Sequence, residues 1–264
     1  MKNQIVKNNF LITSTFTLIF FLTFVQESYS DNLKLKVEGV STLPINAYEK
    51  KSSIANLIAI IGGKGLKNKN GKSRNFLVRI KGKIENNHIN YYLFPNSTKK
   101  EKASYELRVS SERIERILAL IEAIKKRNNK PIFIAGFSRG SVDAGKFSKI
   151  YPEKISGIIL ASGIYTNFSK KAEFFSMQLI VGESVKVPTL VVHHTDDNCI
   201  ATPFNYAKKF FEGLTAPTKM FRAYSGGYTS GGECGPFNYH GFEGIEEEVA
   251  ENMVNWIKNI SLKG

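Results

Sequence analysis

Pro131-Ile132-Phe133-Ile134-Ala135-Gly136-Phe137-Ser138-Arg139-Gly140-Ser141 is the stretch whose reading decides the fold. It begins as a continuous apolar run and passes through a Gly-x-Ser-x-Gly pentapeptide. A helix-like sequence follows from Ser141. That order predicts a buried strand, a sharp turn and a helix. Small residues two before and two after the serine let neighbouring backbones approach, and the serine oxygen then projects into a cleft. Ser138 is therefore a candidate nucleophile. A five-residue motif is weak alone, so the rest of the chain has to supply matching elements and partners.

Working outward, strand-like runs occur at Leu57 to Ile61, Phe76 to Ile80, Ile89 to Phe94, Ile132 to Ala135, Ile158 to Ala161 and Thr189 to Val192. Helical periodicity separates several of them. Ile114, Ile117, Leu118, Ile121 and Ile124 share one face, as do Ile245, Val249, Met253, Trp256 and Ile260 near the end. Continuous apolar strands alternating with amphipathic helices predict an α/β fold with a mostly parallel central sheet, flanked by helices on both faces. Glu246, Glu247 and Glu248 crowd the first turn of the last helix, where carboxylates suit the positive end of its dipole. Residues 164–186 have no clean period and read as a short cap or loop over the C-terminal edge of the sheet, too short for a large lid domain.

The first thirty residues stand apart. Lys2 and Lys7 precede an apolar stretch from Phe10 to Val25, and Ser28-Tyr29-Ser30 offers small residues for cleavage. This is the pattern of a secretory signal peptide over residues 1–30, with an uncleaved anchor as the alternative. Residues 31–264 then form a single domain, and a chain of 264 residues at 42% hydrophobic content is long enough to bury a full core. Export places the protein in the periplasm or outside the cell. In that setting the even pair Cys199 and Cys234 favours a disulfide, and neither belongs to a C-x-x-C redox motif.

The formal net charge is +14. A surface this basic suits acidic partners such as anionic lipid or an anionic envelope polymer. The densest segment carries Lys64, Lys67, Lys69, Lys72 and Arg74 with no aromatic before Phe76. Stacking platforms for single-stranded nucleic acid interleave aromatics with the cations, so no nucleic acid is expected.

A serine hydroxyl needs a general base to attack a carbonyl at neutral pH, and the base needs a carboxylate to fix its tautomer. Four histidines exist. His88 sits in an Asn-rich turn. His193 and His194 close a strand and lead into Thr195-Asp196-Asp197-Asn198-Cys199. His240 stands in a loop just before the terminal helix, where a base would be delivered to the top of the sheet. The cluster of His193, His194, Asp196, Asp197 and Cys199 is nearly consecutive, unlike metal-ligand spacings that converge on one face, so no metal is assigned. The economical arrangement runs Ser138, an aspartate, then His240 in chain order.

With the elbow at Phe133 to Gly140, the acid loop at Leu190 to Asp197 and the base loop at His240-Gly241-Phe242, the chain resembles the α/β-hydrolases, in particular their exported bacterial members. The resemblance covers most of the mature sequence. In the His-Gly-x-x-Asp pattern of that superfamily the acid stands four residues after the histidine. Started at His193, this register selects Asp197, with Asp196 as the alternative because His194 replaces the usual glycine. Asp143 lies on the elbow helix and is not a rival.

The resemblance further implies an oxyanion hole made of backbone N–H groups. Arg139 supplies one, and Gly63 or Lys64 in Ile61-Gly62-Gly63-Lys64-Gly65 the other. That loop lacks the Gly-Lys-Ser/Thr ending of a phosphate-binding loop. A Cys199–Cys234 bridge would tie the acid loop to the base loop and brace both. The implied activity is serine hydrolysis through an acyl-enzyme, with no cofactor, on a small-molecule or envelope-derived acyl substrate. Esters are favoured by the habits of the superfamily. A peptidase or amidase acting on envelope material, and a non-catalytic binding protein on the same scaffold, are the alternatives.

Overall fold

A computed structural model describes residues 31–262; the signal peptide expected over residues 1–30 lies outside them. Eight strands form one sheet: β1 (Asp31–Leu35), β2 (Ile45–Glu49), β3 (Ala55–Ile60), β4 (Ile89–Leu93), β5 (Ile132–Phe137), β6 (Gly157–Ala161), β7 (Thr189–His194) and β8 (Lys219–Tyr224). Their order is β1-β2-β4-β3-β5-β6-β7-β8. Only β2 runs against its neighbours, and every pairing from β4 through β8 is parallel. The mostly parallel sheet expected from the sequence is present.

The helices are α1 (Phe76–Arg79), α2 (Lys81–Asn86), α3 (Tyr105–Val109), α4 (Ser111–Arg127), α5 (Gly140–Ile150), α6 (Met177–Ile180), α7 (Phe204–Gly213) and α8 (Glu246–Ser261). Each central strand divides its side chains between two cores, as the two-residue period of a strand requires. Ile58, Ile134, Ile158 and Val191 pack with Ile117 and Ile121 of α4, Phe147 of α5 and Phe210 of α7. Leu57, Phe133, Ile159 and Leu190 pack on the other face with Phe76, Ile84, Met253 and Trp256. Burying strands on both faces explains their unbroken apolar runs.

The run from Phe76 to Ile80, read as strand-like from its composition, is a helical turn. The Asn75 side chain accepts a hydrogen bond from Leu77 N and caps α1, which turns Phe76 and Leu77 into the core beneath the sheet. Short apolar runs do not distinguish strand from buried helix. Strands β1, β2 and β8 do not correspond to strand-like runs in the sequence, and β8 has the reason written in it: most of Lys219–Tyr224 is exposed or half-buried at the edge, so it lacks an apolar run. Residues 164–186 contain a 3-10 turn at Lys170–Ala172 and the four-residue α6. Their anchorage runs through Ile164, whose N–H donates to Ser141 Oγ and whose carbonyl accepts from Met177 N.

Candidate active site

The site is assembled at the C-terminal ends of β3, β5, β6 and β7. At the end of β5, Ser138 holds a left-handed backbone (φ 52°), and its N–H donates to Ala161 O at 2.9 Å. A non-glycine residue in this region carries a strain of roughly 1–2 kcal/mol, which only surrounding packing can hold in place. That packing is explicit. A Cβ on Gly140 would lie 2.1 Å from Ile60 O, and one on Gly136 would lie 2.3 Å from Gly140 O. The two outer glycines of the pentapeptide are therefore required by contact between β5, α5 and β3.

After β3, the chain turns through Gly62 to Lys64. A Cβ on Gly62 would come within 2.8 Å of both Phe137 O and Ser138 Cβ, so this loop rests directly on the elbow. The N–H groups of Gly63, Lys64 and Arg139 are committed to no acceptor among the described residues. The loop is fastened from behind by Arg108, which is fully buried. Its Nη2 donates to Ile61 O at 3.1 Å and Gly63 O at 3.3 Å, and its Nη1 pairs with Asp143 of α5. Arg113 Nε donates to the other Asp143 oxygen at 2.7 Å. Asp143 thus faces away from the histidines and joins the elbow helix to the loop.

The acid loop follows β7. The structure brings Asp197, not Asp196, to His240: Asp197 Oδ2 accepts from His240 Nδ1 at 2.9 Å, whereas the Asp196 side chain is largely exposed. Asp197 also accepts from Thr202 Oγ1 at 2.9 Å and from Cys199 N at 3.0 Å, and His193 Nε2 stands 3.3 Å away. Burial alone would raise the pKa of Asp197. The charge of His240 and the hydrogen bonds from His193 and His240 outweigh it and hold the carboxyl well below its ordinary value. An ionised carboxylate only accepts, so the His240 proton it binds is on Nδ1, and Nε2 is left as an acceptor.

His240 lies in a 3-10 turn, Tyr239–Gly241, held by Ser162 Oγ donating to His240 O at 2.8 Å. Its ring packs on Phe137 with centroids 5.1 Å apart. His194 braces the same turn: its ring stacks on Tyr239 at 4.5 Å, while its Nε2 donates to Gly226 O at 2.9 Å. Arg79 fixes the turn from below, with Nη1 donating to Arg74 O and Pro236 O and Nη2 to Gly241 O and Glu246 Oε1. Cys199 and Cys234 form a disulfide, with Cα atoms 4.6 Å apart, that joins the acid loop to the segment leading into the base loop.

Ser138, Arg139, Gly63, Lys64, His240 and the disulfide line one cleft of about 370 Å³. Ser138 Oγ and His240 Nε2 share it without a direct hydrogen bond between them. Such contacts often close only when substrate fills the site. Thr202, Ser162, Arg79 and Arg108 had no signal in the sequence, since each acts through a loop contact far along the chain. His193 was visible as a strand end but not as a second donor near Asp197. His88, exposed and at φ 61°, sits in a turn at the opposite end of β4.

Residues 91–227 match the model of a family described as phospholipase/carboxylesterase, a span that contains Ser138 and Asp197. A search of curated proteins returns no match. Among solved structures, an alpha-beta serine hydrolase homologue from Coxiella burnetii is similar at 18% identity and a TM-score of 0.60, over 85% of this chain and 96% of that one. Est1E from Butyrivibrio proteoclasticus gives 15% and 0.61, over 88% and 99%. Paleococcus ferrophilus monoacylglycerol lipase gives 15% and 0.58, over 82% and 98%. At these identities the likeness is one of fold.

Proposed function

The chain belongs to the phospholipase/carboxylesterase family of α/β hydrolases, and from that premise we propose that it is an exported serine esterase in which Ser138, His240 and Asp197 act as a triad. The observation that carries the reading is the Asp197–His240 hydrogen bond at 2.9 Å, buried beside a strained serine in one cleft.

In the first half-reaction, His240 Nε2 takes the Ser138 hydroxyl proton as Oγ bonds to the acyl carbon. The carbonyl oxygen becomes an oxyanion, which accepts hydrogen bonds from the N–H of Arg139 and that of Gly63 or Lys64. Donors of this kind are worth about 10²–10³ in kcat each. Asp197 balances the imidazolium that forms. The ester C–O bond then breaks, and the alcohol leaves with the proton from His240. Water repeats the sequence on the acyl-enzyme: it loses a proton to His240, the acid is released, and Ser138 recovers its proton.

Fluorophosphonate labelling of folded protein, with Ser138→Ala as control, tests this reading. Labelling confined to Ser138, and ester hydrolysis abolished in the variant, are the expected results. A folded protein that neither labels nor hydrolyses esters would be a binding scaffold instead. Export is supported by the leader-like residues 1–30 and by the disulfide, since such bridges persist in oxidising compartments. N-terminal sequencing of the protein recovered from the cell envelope or medium is expected to begin near Asp31.

A further inference from the structure

The chain has eight arginines, all among the described residues. Five are tied to carboxylates: Arg79 to Glu246, Arg108 and Arg113 to Asp143, Arg116 to Glu101, and Arg127 to Glu49. Of the three without such a partner among the described residues, Arg222 lies on the edge strand β8, and the other two, Arg74 and Arg139, line the cleft that holds Ser138 and His240. Lys64 joins them there, likewise without a carboxylate. Among the described residues, no aspartate or glutamate lines that cleft.

The high net charge of the chain does not account for this by itself. A basic surface spreads lysines over solvent, whereas this protein pairs most of its arginines and leaves unpaired two that line the cleft of the nucleophile, Arg139 half-buried and Arg74 exposed at its rim. Both are held by aromatic faces: the Arg139 guanidinium lies 4.9 Å from the Tyr105 ring centroid, and that of Arg74 lies 5.8 Å from Phe237. Tyr105 is itself stacked on Phe175 at 5.5 Å. Arg139 also hydrogen-bonds the Tyr105 side chain, and a guanidinium has five N–H donors, so those that remain fit a carboxylate or phosphate with two parallel hydrogen bonds. In a concave site the uncompensated positive field is focused on whatever enters.

Resting on the esterase reading above, we propose that the substrate is an ester bearing a fixed anionic group, a carboxylate or a phosphate, held by Arg139 and Arg74 with Lys64 while Ser138 attacks its acyl carbon. A cleft of about 370 Å³ fits a small acidic ester, within the usual size of small-molecule sites.

The test uses rigid acetates that differ only at a remote position: para-acetoxybenzoate, the acetate of para-hydroxyphenyl phosphate, and the neutral para-acetoxybenzamide. In the wild-type protein, kcat/KM for at least one anionic acetate is expected to exceed that for the amide about tenfold or more. The preferred anion then identifies carboxylate or phosphate as the recognised group. In Arg139→Gln and Arg74→Gln the anionic-to-neutral ratio falls toward one. The ratio also falls in the wild type as salt is raised, because screening acts on the charged substrate alone. A wild-type ratio near one, or a ratio that survives in both variants, overturns the inference.

Where turnover of these acetates is slow, protection of Ser138 from the fluorophosphonate by terephthalate or phenyl phosphate, against terephthalamide, reads the same preference. Equal protection overturns it. Failure of the esterase reading looks different: Ser138 does not label and no acetate is hydrolysed.

Discussion

Arg108 joins Asp143, on the helix that follows the nucleophile, to the carbonyls of Ile61 and Gly63 in the loop beside it. Arg113 shares Asp143 but does not reach that loop. Arg108→Lys and Arg113→Lys should each lower stability by about 1.5–3 kcal/mol, the worth of a charge-assisted hydrogen bond. Only Arg108→Lys should also lower kcat, on the order of 10²-fold, as expected when a positioned group shifts by an ångström. Thermal melts with kcat and KM for both variants check this. Equal kcat losses would reduce Arg108 to a stabilising role.

Asp197→Asn should leave the fold recognisable while kcat falls by about 10⁴, because the amide can favour the wrong imidazole tautomer. Single-turnover kinetics on an activated ester measure it. A loss of less than tenfold would move the acid elsewhere.

The pH dependence follows from the same carboxyl. Its pKa is depressed in the folded protein, so Asp197 contributes stability that is present above the unfolded value, near about pH 4, and is lost as pH falls below it toward the folded value. The difference in Tm between wild type and Asp197→Asn should be largest near neutrality and shrink on acidification below about pH 4.

Gly62→Ala is expected to lower kcat at least about tenfold, since its Cβ would meet Phe137 O and Ser138 Cβ at 2.8 Å and push the elbow. Gly82→Ala in α2, where a Cβ meets nothing within 4 Å, should instead stabilise by up to about 1 kcal/mol. Parallel melts and kinetics separate steric displacement at the site from helix propensity.

Cys199→Ser with Cys234→Ser removes a bridge across 35 residues, which the chain-entropy model values at about 3–4 kcal/mol. Activity should fall at temperatures where circular dichroism still reports a folded sheet. Equal activity of the bridged and unbridged proteins at those temperatures would leave the disulfide a stabilising role alone.

Much of this architecture was readable because the central strands are buried on both faces, which writes them as apolar runs around Leu57, Ile134, Ile158 and Val191. The elbow was readable for a different reason: Gly136 and Gly140 are demanded by contacts close to them in sequence or just across the sheet. Edge strand β8 was silent because only part of it is covered. The turn at Phe76 was misread because its helical character rests on the Asn75 cap, one polar atom beside an apolar run. Thr202 and Arg108 could not be found by pattern at all, for their partners lie on other loops. Register selects Asp197 over Asp196, and in the structure the Asp197 carboxylate lies 2.9 Å from His240 Nδ1 with Thr202 and His193 beside it.

Arg79 binds the carbonyls of Arg74, Pro236 and Gly241 with a single guanidinium. The stretch bearing Arg74 and the turn bearing His240 are thereby parts of one rigid jaw. Ile164, Ser169 and Ile200 line the same cleft. Loss of the Arg79 guanidinium would loosen the Arg74 stretch and the base turn together.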